Sequence, residues 1–240
     1  MFKCSVCSHK KYKHKLDLGK QPIVHHLLDN KNEIYNLSKF TIVTCSKCAH
    51  IQIEQPFDPK ILYKNYFTFS SWKNNQHVAL LISKMISLFN LTSKSKIFEI
   101  GCNDGHMLND FRKIGFKNIS GIEPSNDAFS LAKKKINKVY NEFFNRKFLK
   151  KQKLKNLDMI CSRHVFEHLY DLNEVLESAH SMLKKNGKLM IEVPIHDMYI
   201  ENYDYSFWEE HVNYFTKNSL FNLLSKNKFR IFHYETTLFS

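Results

Sequence analysis

Lys96-Ile-Phe-Glu-Ile-Gly101-Cys102-Asn103-Asp104-Gly105 is answered a short way along the chain by Asn118-Ile-Ser-Gly-Ile-Glu123-Pro124. Each begins as a short apolar run of the kind that forms a buried strand, and the first breaks into a glycine-bounded turn. A helix is predicted near Met107–Ile114 between them, and another over Asp127–Lys135. Lys138–Phe144 reads as a short third strand, Leu157–Ser162 as a fourth and Gly187–Pro194 as a fifth, with an amphipathic helix over Leu172–Leu183. Lys217–Leu224 reads as a helix and Phe229-Arg-Ile-Phe-His-Tyr234 as a final strand. Such alternation predicts an α/β domain built on a mostly parallel sheet with helices on both faces. Ligands of these sheets sit beyond the carboxyl ends of the strands, so motifs at strand ends carry the most weight.

The first strand ends in Glu99-Ile-Gly101-Cys102-Asn103-Asp104-Gly105 and the second in Glu123-Pro124. Glycines at 101 and 105 let the backbone approach a ligand closely and turn into a helix. The dinucleotide pattern G-x-G-x-x-G is not met, and Asp104 at the helix start disfavours a pyrophosphate there. An acid at the end of the second strand suits hydrogen bonding to ribose hydroxyls. A nucleoside without phosphates fits all of this, and S-adenosylmethionine is one.

Upstream, Cys4-x-x-Cys7 and Cys45-x-x-Cys48 form two pairs, while Cys102 and Cys161 stand alone and read as buried packing residues. In a reducing compartment paired cysteines mark a metal more often than disulfides. Two residues between cysteines let one tight turn aim both thiolates at one ion, and two such knuckles complete a tetrahedral structural zinc site. Four thiolates close the coordination shell, which disfavours a catalytic metal. His25, His26 and His50 stand nearby as spare ligands, although surface or packing roles account for them. The expected organisation is a zinc-binding module over 1–56, an aromatic connector and helix over 57–95, and a cofactor-binding domain over 96–240. The connector carries Phe57, Tyr63, Tyr66, Phe67, Phe69 and Trp72, and its helix is predicted over His77–Phe89.

The 240 residues hold 36 Lys+Arg against 23 Asp+Glu, a net charge of +13, with 43% hydrophobic and 25% charged residues. These proportions exclude a disordered or fibrous chain. No apolar run approaches the roughly 20 residues that span a bilayer. Met1-Phe-Lys-Cys-Ser-Val-Cys7 is too polar for a secretory signal, so a cytoplasmic location without membrane contact is expected. The positive balance suits an anionic partner, either nucleic acid or a diphosphate-bearing small molecule.

Two further constellations sit at strand ends: Arg163-His164-Val165-Phe166-Glu167-His168-Leu169 after the fourth strand, and Phe207-Trp208-Glu209-Glu210-His211-Val212-Asn213-Tyr214-Phe215 after the fifth. Imidazole titrates near neutral pH, so histidine beside glutamate can form a general base held by a carboxylate.

The glycine pair and the acid at position 123 resemble those of class I methyltransferases, whose Rossmann-like sheet binds S-adenosylmethionine. That resemblance implies cofactor contacts from Glu99, Gly101, Cys102, Asn103, Gly105, Glu123 and Pro124, with Gly101 and Gly105 facing the methionine part and Glu123 the ribose. From Cys4 to about Phe215 the chain is similar, more narrowly, to the sugar C-methyltransferases of deoxysugar biosynthesis. The four cysteines come first, with Leu18-Gly19-Lys20-Gln21-Pro22 between the knuckles, and Tyr66-Phe67-Thr68-Phe69-Ser70-Ser71 follows them. The Glu-x-Gly-x-Asn-x-Gly loop, Phe-x-His and Glu-His-x-x-Tyr-Phe then appear in order. In that family a nucleotide-linked 4-keto sugar loses the proton beside its carbonyl and the enolate takes the methyl group. The resemblance implies that His168, Glu210 and His211 are the acid/base group, with Tyr66 beside them, and that Cys4, Cys7, Cys45 and Cys48 hold Zn2+. Trp208 and Thr68 stand where the family has tyrosine, and family members continue into a C-terminal domain that helps bind the sugar nucleotide.

The expected activity is therefore S-adenosylmethionine-dependent C- or O-methylation of an anionic small molecule, a nucleotide-linked sugar or a related capsular or polysaccharide precursor. Two other readings are carried: an RNA base methyltransferase with a zinc module, disfavoured by the lack of a dense basic run, and a non-catalytic cofactor-binding subunit.

Overall fold

Ile97-Phe-Glu-Ile100 is buried at all four positions and Ile119-Ser-Gly-Ile122 likewise, the pattern of strands covered on both faces of a parallel sheet. The computed structural model describes residues 2–22, 37–59, 75–197 and 207–237, and within them the chain forms two compact units. One comprises Thr68–Arg163, Glu174–Glu192 and Phe232–Ser240; the other comprises Met1–Phe67, His164–Asn173 and Val193–Ile231.

In the first unit the strands are β4 (Ile97–Ile100), β5 (Ile119–Ile122), β6 (Val139–Tyr140), β7 (Leu157–Arg163) and β8 (Leu183–Glu192), all parallel in the order β6-β5-β4-β7-β8. The chain builds outward from β4 to β6, then returns to β4's other edge with β7. That reversal between β4 and β7 is the switch point at which sheets of this topology bind ligands. Helices α1 (Asn75–Phe89), α2 (His106–Lys113), α3 (Asn126–Lys135) and α4 (Arg146–Gln152) intervene, and α5 spans Leu172–Met182. Val78, Ile82 and Met85 of α1, Met107, Leu108 and Phe111 of α2, and Ala132 of α3 share one core with Ile97, Ile119 and Met159. Asn145 caps α4 by accepting the Phe148 N–H at 2.9 Å, which supplies a partner that the first turn of a helix lacks.

In the second unit β1 (Tyr12–Gln21), β2 (Ser38–Cys45), β3 (Ile51–Ile53) and β9 (Asn213–Tyr214) form an antiparallel sheet in the order β1-β2-β3-β9. Phe40, Ile42, Ile53, Phe57 and Tyr214 are its core. Ile51 pairs with Tyr214 and Gln52 with Asn213, so the end of the Glu-His-x-x-Tyr-Phe stretch is a short strand of the cysteine-bearing sheet. Helix α6 (Lys217–Lys226) follows, opened by a reciprocal capping box between Thr216 and Ser219.

Two strand expectations need correction. Phe229–Tyr234 is not a strand: the Phe229 N–H closes the end of α6 on the Leu224 carbonyl at 3.0 Å, and Phe232 is 51% exposed. Phe232 instead stacks edge-on against Phe89 at 5.8 Å, under the Lys188 ammonium at 4.7 Å. Aromatic contact with a helix and a lysine replaces strand pairing there. The third parallel strand is confined to Val139–Tyr140 because Phe144 turns inward onto Phe98 and Phe148. Among the described residues no helix is long and apolar enough to cross a membrane.

Candidate active site

The four cysteines converge. Cys4 Sγ lies 3.6 Å from Cys48 Sγ, Cys7 Sγ lies 3.6 Å from Cys45 Sγ, and all four sulfurs fall within 4.8 Å of one another. A disulfide would need about 2.05 Å, whereas thiolates about 2.3 Å from one tetrahedral zinc sit roughly 3.8 Å apart. The two knuckles are copies in backbone terms. Ser8 N–H returns to the Cys4 carbonyl and Ala49 N–H to the Cys45 carbonyl, with φ of 63° at Ser8 and 57° at Ala49. The donor set and spacing fit a closed zinc site. His50 is no part of it: its ring is buried, packs on Phe215 at 5.4 Å and meets Asn213 Oδ1 through Nε2 at 3.3 Å.

The cofactor loop is held from both ends of its turn. Gly101 and Cys102 both donate backbone N–H to the Ile122 carbonyl, at 2.9 and 3.0 Å. Gly101, Asn103 and Gly105 have φ of 69°, 47° and 75°, a left-handed winding that glycine adopts freely and asparagine tolerates. The Glu123 carboxylate accepts the Asn103 N–H at 3.0 Å and the Ser125 N–H at 2.8 Å, one on each oxygen. Each oxygen keeps a second lone pair for a ribose hydroxyl. Pro124 follows, its carbonyl and that of Glu123 held by Asn141 Nδ2 at 3.2 and 3.0 Å. Asp104 is spent on Lys135, 2.7 Å away.

Glu99 is 4% exposed, and its Oε2 has no hydrogen-bond partner among the described residues. Burial, with Asp104 and Glu123 adding repulsion and Arg163 opposing, pushes its carboxyl up to about 8. A buried acceptor left open at the ends of the strands fits a cationic donor molecule. Cys102 is packing: its thiol is pushed up by burial and lies over Gly121, where a Cβ would stand 2.7 Å from Cys102 Sγ. Gly121, which the motif reading passed over, is therefore what lets the loop seat on β5.

In the other unit, Phe166–His168 is a single 3-10 turn. His168 Nδ1 stands 3.0 Å from the Glu210 carbonyl and 4.0 Å from Glu210 Oε2, and its ring meets that of His211 edge-on with centroids 4.7 Å apart. A carbonyl only accepts, so His168 carries a proton on Nδ1 and leaves Nε2 to face other partners. Burial, reinforced by His168, lowers His211 to about 4, with Glu167 and Glu210 pulling the other way. His211 is thus neutral at physiological pH. Glu167, 2% exposed, lies 3.5 Å from His164 Nδ1. Burial pushes its carboxyl upward, but His164, His168 and His211 together hold it below the ordinary carboxylate range. Trp208 is 42% exposed, and the Tyr214 hydroxyl donates to its carbonyl at 2.8 Å while accepting its N–H at 3.0 Å.

His168, Glu210 and His211 are thus brought together in the same unit as the four converging cysteines, while the seven expected cofactor residues fall in the other unit. Tyr66, with the aromatic and Ser-Ser stretch around it, and His25 and His26 lie outside the described residues. Glu167 and Asn213 escaped the motif reading, although each sits inside a stretch singled out for its histidine.

A family model described as "Methyltransferase domain" matches residues 72–234, and one described as "Putative zinc binding domain" matches residues 4–63. This chain belongs to the methyltransferase-domain family. A curated relative, the C-methyltransferase NovU of Streptomyces niveus, is 24% identical over 237 residues, covering 95% of this chain and 56% of that protein. The chain spans about half the length of that relative. Among solved structures, a SAM dependent methyltransferase from Archaeoglobus fulgidus aligns with a TM-score of 0.50 at 21% identity, over 64% of this chain and 69% of that one, a likeness of fold. The five-stranded parallel sheet and its glycine loop are thus a class I S-adenosylmethionine-dependent methyltransferase fold, joined in one chain to a four-cysteine zinc-binding domain.

Proposed function

We propose that this chain methylates a nucleotide-linked sugar, or a related polysaccharide precursor, at a carbon made acidic by a neighbouring carbonyl. One observation carries the reading: the edge-on His168–His211 pair, with Glu210 bound to His168 through its backbone carbonyl. C-methylation is the activity in NovU's name, and the chain aligns with NovU over 95% of its length. The net charge of +13 suits an acceptor that carries phosphates.

S-adenosylmethionine, when bound, supplies an electrophilic methyl on a sulfonium. Glu123 would accept from the ribose hydroxyls, the backbone of Gly101, Asn103 and Gly105 would make room for the methionine arm, and Glu99 would offset its positive charge. His211, neutral because it is buried, takes the acidic proton from the acceptor carbon. The electron pair released stays on the acceptor as an enolate, the carbon nucleophile that would receive the donor's methyl group. His168, held by the Glu210 carbonyl, keeps its Nε2 directed by a fixed tautomer. Tyr66 is carried as a further member of the group by its motif position. Cys4, Cys7, Cys45 and Cys48 hold zinc as a structural ion.

The test is His211→Asn against the unaltered chain, with S-adenosylmethionine and a panel of nucleotide-linked 4-keto sugars. Product formation by the unaltered chain, with a loss of about 10²–10⁴-fold in the variant at equal donor affinity, supports the assignment. Equal rates remove His211 from it.

A further inference from the structure

Asn213 lies in β9, 1% exposed, and its side-chain amide is used on both sides. Oδ1 accepts the Ser5 hydroxyl at 2.7 Å and meets His50 Nε2 at 3.3 Å. Ser5 sits inside the first cysteine knuckle and His50 directly after the second. Nδ2 donates to the Leu169 carbonyl at 2.7 Å and to the Phe166 carbonyl at 3.3 Å, the two carbonyls that bracket Glu167 and His168. Carbonyls cannot donate, so this pairing also fixes which end of the amide is nitrogen.

We propose that Asn213 is a positioning residue, which ties the His168–His211 pair to the zinc knuckles so that the metal site sets the geometry of the imidazoles. The inference rests on the reading that these imidazoles handle the acceptor's proton. Three links make the tie. The turn bearing His168 hangs from Asn213 Nδ2. Glu210 and His211 lie three and two residues before Asn213 in the chain, and the pairing of Gln52 with Asn213 pins that backbone to β3. On the knuckle side, Ser5 is fixed independently: its N–H donates to Gln52 Oε1 at 2.8 Å, and its carbonyl accepts from Asn173 Nδ2 at 2.9 Å. The first knuckle is thus a rigid post, and one buried amide carries its position to both histidine-bearing segments. A displacement of about 1 Å in such a group costs roughly a hundredfold in rate.

The experiment uses the full zinc-loaded chain and records long-range 15N spectra of the histidine rings, which report tautomers directly. In the unaltered chain His168 is expected as one tautomer with its proton on Nδ1. Asn213→Ala, and Asn213→Asp, which keeps the acceptor toward Ser5 but loses the donor toward Leu169, are expected to give mixed His168 tautomers and shifted His211 signals. Both are expected to retain one zinc per chain and donor affinity within about twofold by calorimetry. Ser5→Ala leaves the amide donor in place and removes only its anchor, and it is expected to shift the same signals by a smaller amount. Should the Asn213 variants fail to retain zinc, Ser5→Ala carries the test alone. Unchanged His168 and His211 spectra in Ser5→Ala, or in both Asn213 variants, overturn the proposal. None of these readouts needs turnover, so inactivity toward sugar nucleotides would count against the proposed function and not against the tie.

Discussion

Glu123, at the end of β5, accepts the backbone N–H of Asn103 in the loop after β4 at 3.0 Å. The acid proposed to face the ribose is thereby the strut that shapes the glycine loop, so a change at one is expected to disturb the other. Glu123→Ala removes the acceptor of two half-buried N–H groups as well as of the expected ligand. Its expected effect is a roughly ten- to hundredfold weaker affinity for S-adenosylmethionine, read by calorimetry. A change smaller than threefold would contradict that role.

Gly121→Ala tests the seat of the same loop. A Cβ there would lie 2.7 Å from Cys102 Sγ and 2.9 Å from Leu108 Cδ1. Overpacking of this kind typically costs about 1–3 kcal/mol, so a lower denaturation midpoint with unchanged zinc content is expected. A variant as stable as the parent would show that the loop gives way freely.

Glu99 makes cofactor binding depend on pH. Its carboxyl is raised to about 8, first by burial, so at neutral pH it is mostly protonated, and a bound cation favours the ionised form. Affinity for S-adenosylmethionine is therefore expected to rise as pH increases from 6.5 and to level off above about 8. In Glu99→Gln that dependence should disappear. A flat profile in the unaltered chain would deny the carboxylate its electrostatic part.

As the proposed base, His211 acts in its neutral form, which exists above its pKa. Burial sets that value at about 4, so the acid limb of the methyl-transfer rate is expected near pH 4 and not near the ordinary imidazole value of about 6.5. A limb at 6.5 that moves in His168→Asn would transfer the base role to His168.

Zinc and fold are linked in the cysteine unit. Cys4→Ser removes one of four converging sulfurs and is expected to lower metal content below one equivalent and to unfold that unit, seen as lost protection of the Thr41–Val43 amides in hydrogen exchange. Full metal content in the variant would contradict a four-thiolate site.

The parallel sheet was legible because its central strands are buried on both faces, so that Ile97–Ile100 and Leu157–Ser162 read as mostly apolar runs despite Glu99 and Asp158. The cysteine unit's sheet was not. Nine of ten positions in β1 are exposed, so the alternation of Lys13, Lys15 and Asp17 with Tyr12, Leu16 and Leu18 is backed by no buried face beyond the half-buried Leu18. Phe229–Tyr234 misled for the opposite reason, since its aromatic residues satisfy a helix and a lysine instead of a neighbouring strand. The histidines, cysteines and cofactor glycines were recognisable as motifs. What chain order concealed is that His164–Asn173 and Val193–Ile231 cluster with the cysteines. Asn213 meets Ser5 across 208 positions of sequence, and only tertiary packing gives an ordinary asparagine that part.

Methyl transfer to a carbon acidified by a carbonyl can be followed by isotope tracing. The chain is incubated with S-adenosylmethionine labelled with 13C in its methyl group and a nucleotide-linked 4-keto sugar, and the product is read by carbon-detected NMR. The label is predicted to appear on a ring carbon beside the carbonyl. Label on oxygen, or none on any sugar nucleotide while calorimetry records normal donor binding, would contradict the claim.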